Sequence, residues 1–570
     1  MSAEYKARAA AILLCIVVSA AAVVPFFFMG QPLPHGSRWD LRMPWTHDMF
    51  LHYDQMRDFY QGLAAGEIYP RWEEDTNYGF GAPTTCFYPP GVYYVTAAFY
   101  PLFRDWTRVL LAAHLMMMVG SAAAIYLLAR RYMSRIAALA AMTAYVVFPY
   151  HAIDLYHRVA LAELLSFVWM PLIVLFAGQL LANGRPWLPL SGLALSYGGF
   201  LWSHPPTAYQ FSLVFCPFIV LLAVWRRSWR GLLWTAAGFA LGGGLSAAYL
   251  LPAALEQNLI RHEIIEEIWP YHETYLFMYA RYSRRYFEFF QLLNWSWRFD
   301  VAVILLAASA VLILTKRLRR LAIFWTLIGG LASFLMLRAS APLGRHIPQI
   351  EIGVFSWRML AITTLIAALL CGLLVQAAVD TCRERRRGGF VLAVTVSAAA
   401  LVGSATFTVF GVVAPVNREE AFQPEEEHTN YAIIPRTAPK NTDDLPEVDR
   451  ATLDPPGAVR IREWKPQHRV IDVDSNAVSR LFVRTLNYPG WTAAMDGVSL
   501  PAGTDKETGA MLFSLPAGMH VVTLDFLDTP VRRTGARITM ISFLIVLAAL
   551  AFGALANRRT APASQTSRGS

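Results

Sequence analysis

Apolar positions in this chain come in long, nearly unbroken runs, and few segments show the alternation of a half-buried element. A helix needs about 20 apolar residues to cross the hydrocarbon of a bilayer. Twelve segments approach that pattern, near 9–29, 107–129, 136–150, 161–181, 186–203, 208–225, 231–253, 299–315, 321–337, 357–378, 389–412 and 538–556. The first could be read as a signal peptide, but the apolar run continues past its Ala-rich stretch, as in an uncleaved anchor. The pattern therefore predicts a polytopic α-helical membrane protein of about twelve spans.

Two regions interrupt the rhythm, and they set the expected domains: a membrane domain over 1–412 with a large external loop at 30–105, an external β-sandwich over 413–534, and a last helix with its tail over 535–570. In the second region Pro, Glu, Asp and Thr rise, and Asn417 to Asp454 reads as an extended lead-in. After it come period-two segments, AVRIREW, RVIDVDS, SRLFVRTL, WTAAMDGVSL, AMLFSLPAG and HVVTLDFL, with turns expected at Asp496-Gly497 and Pro516-Ala517-Gly518. Six short strands at that spacing predict an antiparallel sandwich.

Charge orients the map, because short cytoplasmic loops retain Lys and Arg. With both termini inside, the cytoplasmic segments hold 20 Lys and Arg against three acids, Glu4, Asp380 and Glu384. The apolar stretch Phe87 to Phe103 would invert every later loop if it crossed, so it is expected to be re-entrant or interfacial. The net charge of +9 sits at helix ends, which fits topology and lipid headgroups and gives no reason to expect nucleic acid. The remaining composition agrees: 56% of residues are hydrophobic, 16% are charged, and mean hydropathy is +0.39. The five cysteines fall in separate segments without metal-ligand spacing.

The richest polar chemistry lies between the first two spans. THDMFLHYDQMRDF places His47, Asp48, His52, Tyr53, Asp54 and Asp58 within three helical turns; Asp48 and His52 are four apart and share a face, while Asp54 is nearly opposite. Further on, GEIYPRWEEDTNYGFGAPTTCFYPPGVYY (66–94) is followed by FPYHAIDLYHRVALAE (148–163), WSHPPTA (202–208), AAYLLPAALEQ (247–257), LLNWSW (292–297), FSWRML (355–360) and NYPGWTAAMDGVSLPAG. Together these motifs resemble the YfhO-type, "6-pyruvoyl-tetrahydropterin synthase-related" membrane proteins of the GT-C glycosyltransferase superfamily. The resemblance spans nearly the whole chain, and its motifs are specific together though weak singly.

It implies a GT-C helix bundle, a polyprenyl-phosphate-linked sugar donor, a cell-envelope acceptor, and an acidic residue in the first external loop as base. The implied setting is the outer face of a bacterial cytoplasmic membrane. On this reading Asp48 is the expected base with His52 beside it, and Asp40 or Asp54 are alternatives. Arg71, Arg158 and Arg358 are the cations expected for the departing phosphate, since a guanidinium stays charged and engages phosphate oxygens in pairs. Asp154, Arg158 and Glu163 look like a coupled set. His47, Asp54, Tyr88, His151 and His204 complete the expected substrate site. No cofactor is expected; a divalent metal on Asp40, Asp48 and Asp54 is left open because no spacing is diagnostic.

Against these stand plainer readings: polar headgroup-level residues for the loop acids, snorkelling anchors for the arginines, hydrogen-bonded structural roles for His151 and His157, and a core role for Trp491 in place of a sugar platform. Two other functions also fit twelve spans, a flippase or transporter of lipid-linked sugars and a catalytically silent glycan binder. Transport is disfavoured because the first and last six spans show no evident similarity.

Overall fold

The computed structural model describes residues 3–28, 48–268, 270–278, 284–347, 349–350, 355–383, 402–404, 406 and 433–558. The first helix, α1 (Ala3–Phe28), is followed by α2 (Met49–Ala64), α3 (Thr84–Phe87) and α4 (Gly91–Phe103), all short enough to lie beside the bundle. Then come α5 (Trp106–Ala129), α6 (Arg135–Val147), α7 (Pro149–Ala152), α8 (Leu161–Leu180), α9 (Trp187–Ser203), α10 (Pro205–Trp225), α11 (Trp229–Leu245) and α12 (Ala247–Leu255). After α13 (Glu263–Ile268) the chain continues through α14 (Arg284–Leu314), α15 (Arg319–Leu335), α16 (Ala341–His346) and α17 (Leu360–Arg383), and the last helix is α18 (Pro530–Arg558).

Among the described residues seven helices are long and apolar enough to cross a membrane, and nine if each of two bent pairs is one span. The pairs bend by 42° after α6 and by 74° between α11 and α12. Two further helices, α9 and α15, have 17 residues each, about 26 Å of rise. The segment expected at 389–412 lies outside the described residues except for 402–404 and 406. Phe87 to Phe103 forms α3 and α4, and α4 packs on α2, α5, α8 and α9.

Local chemistry sets the breaks. Phe148 is extended, and Pro149, which has no N–H to give, starts a new helix one residue later. That helix widens into a π-helical turn over Ile153–Arg158 and ends at Val159, whose φ of 50° is left-handed. In α14 the helix starts well before the apolar run at 299, so the polar-aromatic LLNWSW is helical too.

The C-terminal region is built from β1 (Ala451–Asp454), β2 (Ala458–Lys465), β3 (His468–Ser475), β4 (Ser479–Leu486), β5 (Trp491–Met495), β6 (Val498–Leu500), β7 (Gly503–Thr504), β8 (Ala510–Leu515) and β9 (Gly518–Phe526). One sheet runs β1-β4-β8-β7 and the other β2-β3-β9-β5-β6, and every pairing within them is antiparallel. Asp496-Gly497 makes the two-residue hairpin between β5 and β6, with φ of 51° and 83°. Pro516-Ala517, in contrast, carries the chain from one sheet to the other, because β8 and β9 belong to different sheets. Alternate residues of both sheets, Leu481 and Phe513 from one and Ile471 and Leu524 from the other, share a single buried core.

That core is completed from the segment between α2 and α3. Trp72, only 1% exposed, packs on Tyr488, Trp491 and Phe526 with ring centroids 5.3–6.2 Å apart, and Phe80 joins the same cluster. Phe80 also accepts the Leu486 N–H at 2.9 Å through its carbonyl. Gly79 and Gly81 are needed here: both have φ near +75°, and a Cβ on Gly81 would collide with the Trp72 indole. On the membrane side, Glu256 holds Arg532 at 2.9 Å, and Arg532 also donates to the Pro489 carbonyl. The loop is thereby fixed between helices and sheets.

Candidate active site

Where the loop, the π turn and the start of α17 meet, the structure buries a group of charges. Glu163, in the first turn of α8, takes Arg158 Nη1 at 2.7 Å on one carboxylate oxygen and the Tyr150 hydroxyl at 2.8 Å on the other. Arg158 reaches Asp154 with the same nitrogen at 2.8 Å, a bond that the turn favours because the two are four residues apart. Arg358 comes from the opposite side, its Nε 3.8 Å from Glu163 and its guanidinium over the Phe355 ring. The chain before it is pinned: Ser356 bonds Thr274 through its N–H at 3.1 Å and its hydroxyl at 2.6 Å, and Gln210 donates to the Phe355 carbonyl at 2.8 Å. His204, at the start of α10, shares a 2.7 Å hydrogen bond with Thr207, which sits 3.4 Å from Glu163.

Asp48 stands at the rim of this group. Its N–H donates to the Arg158 carbonyl at 3.1 Å, and its own carbonyl accepts from His52 N–H at 3.1 Å, closing the first turn of α2. Its carboxylate is half-buried and interacts electrostatically with His52, Tyr88 and Arg158. His52 is buried, with Nδ1 3.1 Å from the Tyr93 hydroxyl, which in turn donates to Gln55. Burial pushes the His52 imidazole down to about 4 against the pull of Asp48, so it is neutral at ordinary pH and serves as a hydrogen-bonding wall beside the carboxylate. Burial raises the Tyr88 phenol, which keeps its proton as a donor. Asp48, His52, Tyr88, Asp154, Arg158, Glu163, His204 and Arg358 are thus brought together.

The other expected site residues are elsewhere. Arg71 is buried at the junction with the sheet region, 3.2 Å from Asp528, donating to the Ala248 carbonyl and covering the Tyr69 ring. His151 turns away from the charges, bonding the Tyr145 carbonyl at 2.6 Å and lying on Phe167 at 3.8 Å. His157 stacks on Phe289. Asp54 joins Arg57, Asp58 and Asp75 on the other side of α2 from Asp48, so the two acids do not share a ligand site. His47 and Asp40 lie outside the described residues. Tyr150 and Thr207 were not expected here: they stand inside quoted motifs, but nothing in their spacing marks which face they occupy.

The arrangement supports a separation of roles. Arg158 is engaged by two carboxylates, which makes it a brace, and Arg358 approaches Glu163 from the other side at 3.8 Å. Asp48 is the half-buried carboxylate at the edge of the group. Removing one partner of a buried ion group costs about 3–5 kcal/mol because the remainder is left uncompensated. Arg158→Met should therefore lower the unfolding midpoint in detergent substantially, and adding Asp154→Asn should recover part of the loss. A single variant as stable as the wild type would mean that Arg158 compensates nothing.

Asp54 gives a pH test. Burial pushes its carboxyl up to about 6, with Arg57 opposing and Asp75 adding. A raised acid stabilises the fold below its unfolded pKa and loses that contribution as pH rises through the folded value, a window from about 4 to 6 here. Stability followed by denaturant titration should fall across that window, and Asp54→Asn should flatten the fall; an unchanged slope would assign it to another group.

Two solved structures of the oligosaccharyltransferase of Archaeoglobus fulgidus are similar to the chain: archaeal AglB in complex with an inhibitory peptide and a dolichol-phosphate, at 11% identity, and the apo form, at 12%. Each has a TM-score of 0.44 and covers 73% of this chain, whereas the chain covers 56% of theirs. At that similarity nothing about the chemistry of this chain follows from them. No curated protein matches. The model of DUF6541, a family of unknown function, matches residues 2–446, and the chain belongs to that family.

Proposed function

We propose that the chain is an integral membrane glycosyltransferase of GT-C type that moves a sugar from a polyprenyl-phosphate-linked donor to a cell-envelope glycan, lipid or protein on the outer face of a bacterial cytoplasmic membrane. One observation carries the reading: motifs far apart in sequence, YPPGVYY, FPYHAIDLYHRVALAE, WSHPPTA and FSWRML, meet at a single buried charge group with Asp48 at its edge. These are the motifs on which the resemblance to GT-C enzymes rests.

Transfer from a lipid phosphate needs a base for the acceptor hydroxyl, alignment with the anomeric carbon and a cation for the departing phosphate. Asp48 takes the hydroxyl proton as the acceptor oxygen bonds the anomeric carbon. The bond from that carbon to the phosphate oxygen breaks with its electron pair on phosphate, where Arg358 balances the charge. Arg158 and Glu163 hold the two sides at fixed separation, and His52, Tyr88 and His204 line the space. Lipids of the bilayer and the donor's polyprenyl chain are the partners on the membrane side.

Purified protein in nanodiscs, incubated with radiolabelled polyprenyl-phosphate sugars and envelope extract, should release label from the lipid. Asp48→Asn should reduce that release by about 100-fold or more, in the range for general-base loss, while retaining donor; unchanged turnover would remove Asp48 from the mechanism. Arg358→Lys, which keeps a cation beside Glu163 but loses the planar fork, should weaken donor retention, and unaltered donor affinity would remove its phosphate role. Donor retained by the wild type with no label released would favour a flippase or a silent binder.

A further inference from the structure

At the end of α8 and α10 far from Glu163 and His204, these two helices and α15 part to leave an elongated groove of about 740 Å³. Its walls are apolar and aromatic from Ile173 and Phe211 to Leu222 and Phe324. Phe211 to Arg226 along α10 corresponds to about 22 Å of helix, most of the depth of a bilayer's hydrocarbon core. The side of the groove is open, since Leu221, Trp225, Ile323 and Leu327 are all exposed. Among the described residues no carboxylate lines it. Its mouth carries Arg226 and Arg320, both exposed, with Arg320 5.9 Å over the Trp225 ring.

We propose that this groove is a binding site for an anionic phospholipid, an acyl chain lying along α10 and the headgroup phosphate held by Arg226 and Arg320. The shape and the charge argue together. A long apolar slot open to the side of the bundle has no use for a water-soluble ligand, whereas two guanidiniums at one end match a headgroup whose phosphate charge is not offset by a choline cation. The two arginines are placed at the depth where a membrane protein meets headgroups, because α10 and α15 both change from apolar to basic there: Trp225 is followed by Arg226 and Arg227, and Leu321 is preceded by Lys316, Arg317, Arg319 and Arg320. The site lies at the opposite end of the bundle from the Asp48 group and does not depend on the catalytic reading.

The test uses the full chain in detergent. Native mass spectrometry after addition of dioleoyl phosphatidylglycerol or dioleoyl phosphatidylcholine should show the anionic lipid retained and the neutral one lost. Arg226→Gln/Arg320→Gln should reduce retention by about 30-fold, given the usual attraction of one surface arginine for anionic lipid. Leu222→Trp, which fills the wall without changing charge, should reduce it as well. Arg131→Gln/Arg230→Gln removes two basic-loop charges outside the groove and should leave retention unchanged. Equal retention of both lipids, retention indifferent to the groove variants, or equal loss in the control pair would overturn the site in favour of non-specific annular lipid.

Discussion

Glu163 is the residue on which the arrangement turns. A carboxylate taken out of water is tolerated only if its oxygens are matched, and the cost of leaving one unmatched is several kcal/mol. Here the match comes from three directions: Arg158 at the end of the π turn, Tyr150 beside the Pro149 break, and Arg358 at the start of α17. Each partner fixes the element that carries it. The bend after α6, the end of the π turn at Val159 and the pinned Phe355-Ser356 entry into α17 lie on the segments that bring these donors to the same buried acid. An ion group of this kind adds little net stability, but it allows very few arrangements of the helices around it.

The loop beyond α2 serves two cores. Its outer half supplies Trp72 and Phe80 to the sheets, and its inner half supplies Tyr88 and Tyr93 to the wall around His52. Arg71, which the sequence placed among phosphate ligands, spends its charge on Asp528 at that junction. Tyr488 and Trp491 are likewise committed to packing against Trp72, with the ring faces turned inward.

Much of this was legible in the sequence because its signals are local. Apolar length marks the spans, period-two alternation marks the strands, and the Asp-Gly dipeptide marks one hairpin by its need for positive φ. Asp154 and Arg158 could be read as a pair because four residues bring them onto one helical turn, and Glu163 follows close behind at the start of the next helix. What stayed hidden is non-local. The spacing of Thr207 carries no sign that it faces Glu163, and nothing in PRW distinguishes a tryptophan of the membrane interface from one that fills a sheet core hundreds of residues away. A turn at Pro516-Ala517-Gly518 was legible, but whether it returns the chain to its neighbour or crosses to the other sheet was not, because the residues are the same in either case. The motifs suggested YfhO-type relatives, and the family model that matches is DUF6541.

The packing of Trp72 against Tyr488, Trp491 and Phe526 also bears on how the protein is made. A ribosome delivers residue 72 long before residue 491, so the loop that carries the site emerges without the surface that will seat it. Until the last strands arrive, Trp72 on its outer half lacks these three partners. Translation order thus acts as a timer: the helices up to α17 are made first, and the outer half of the loop finds its packing surface only after the strands have been made.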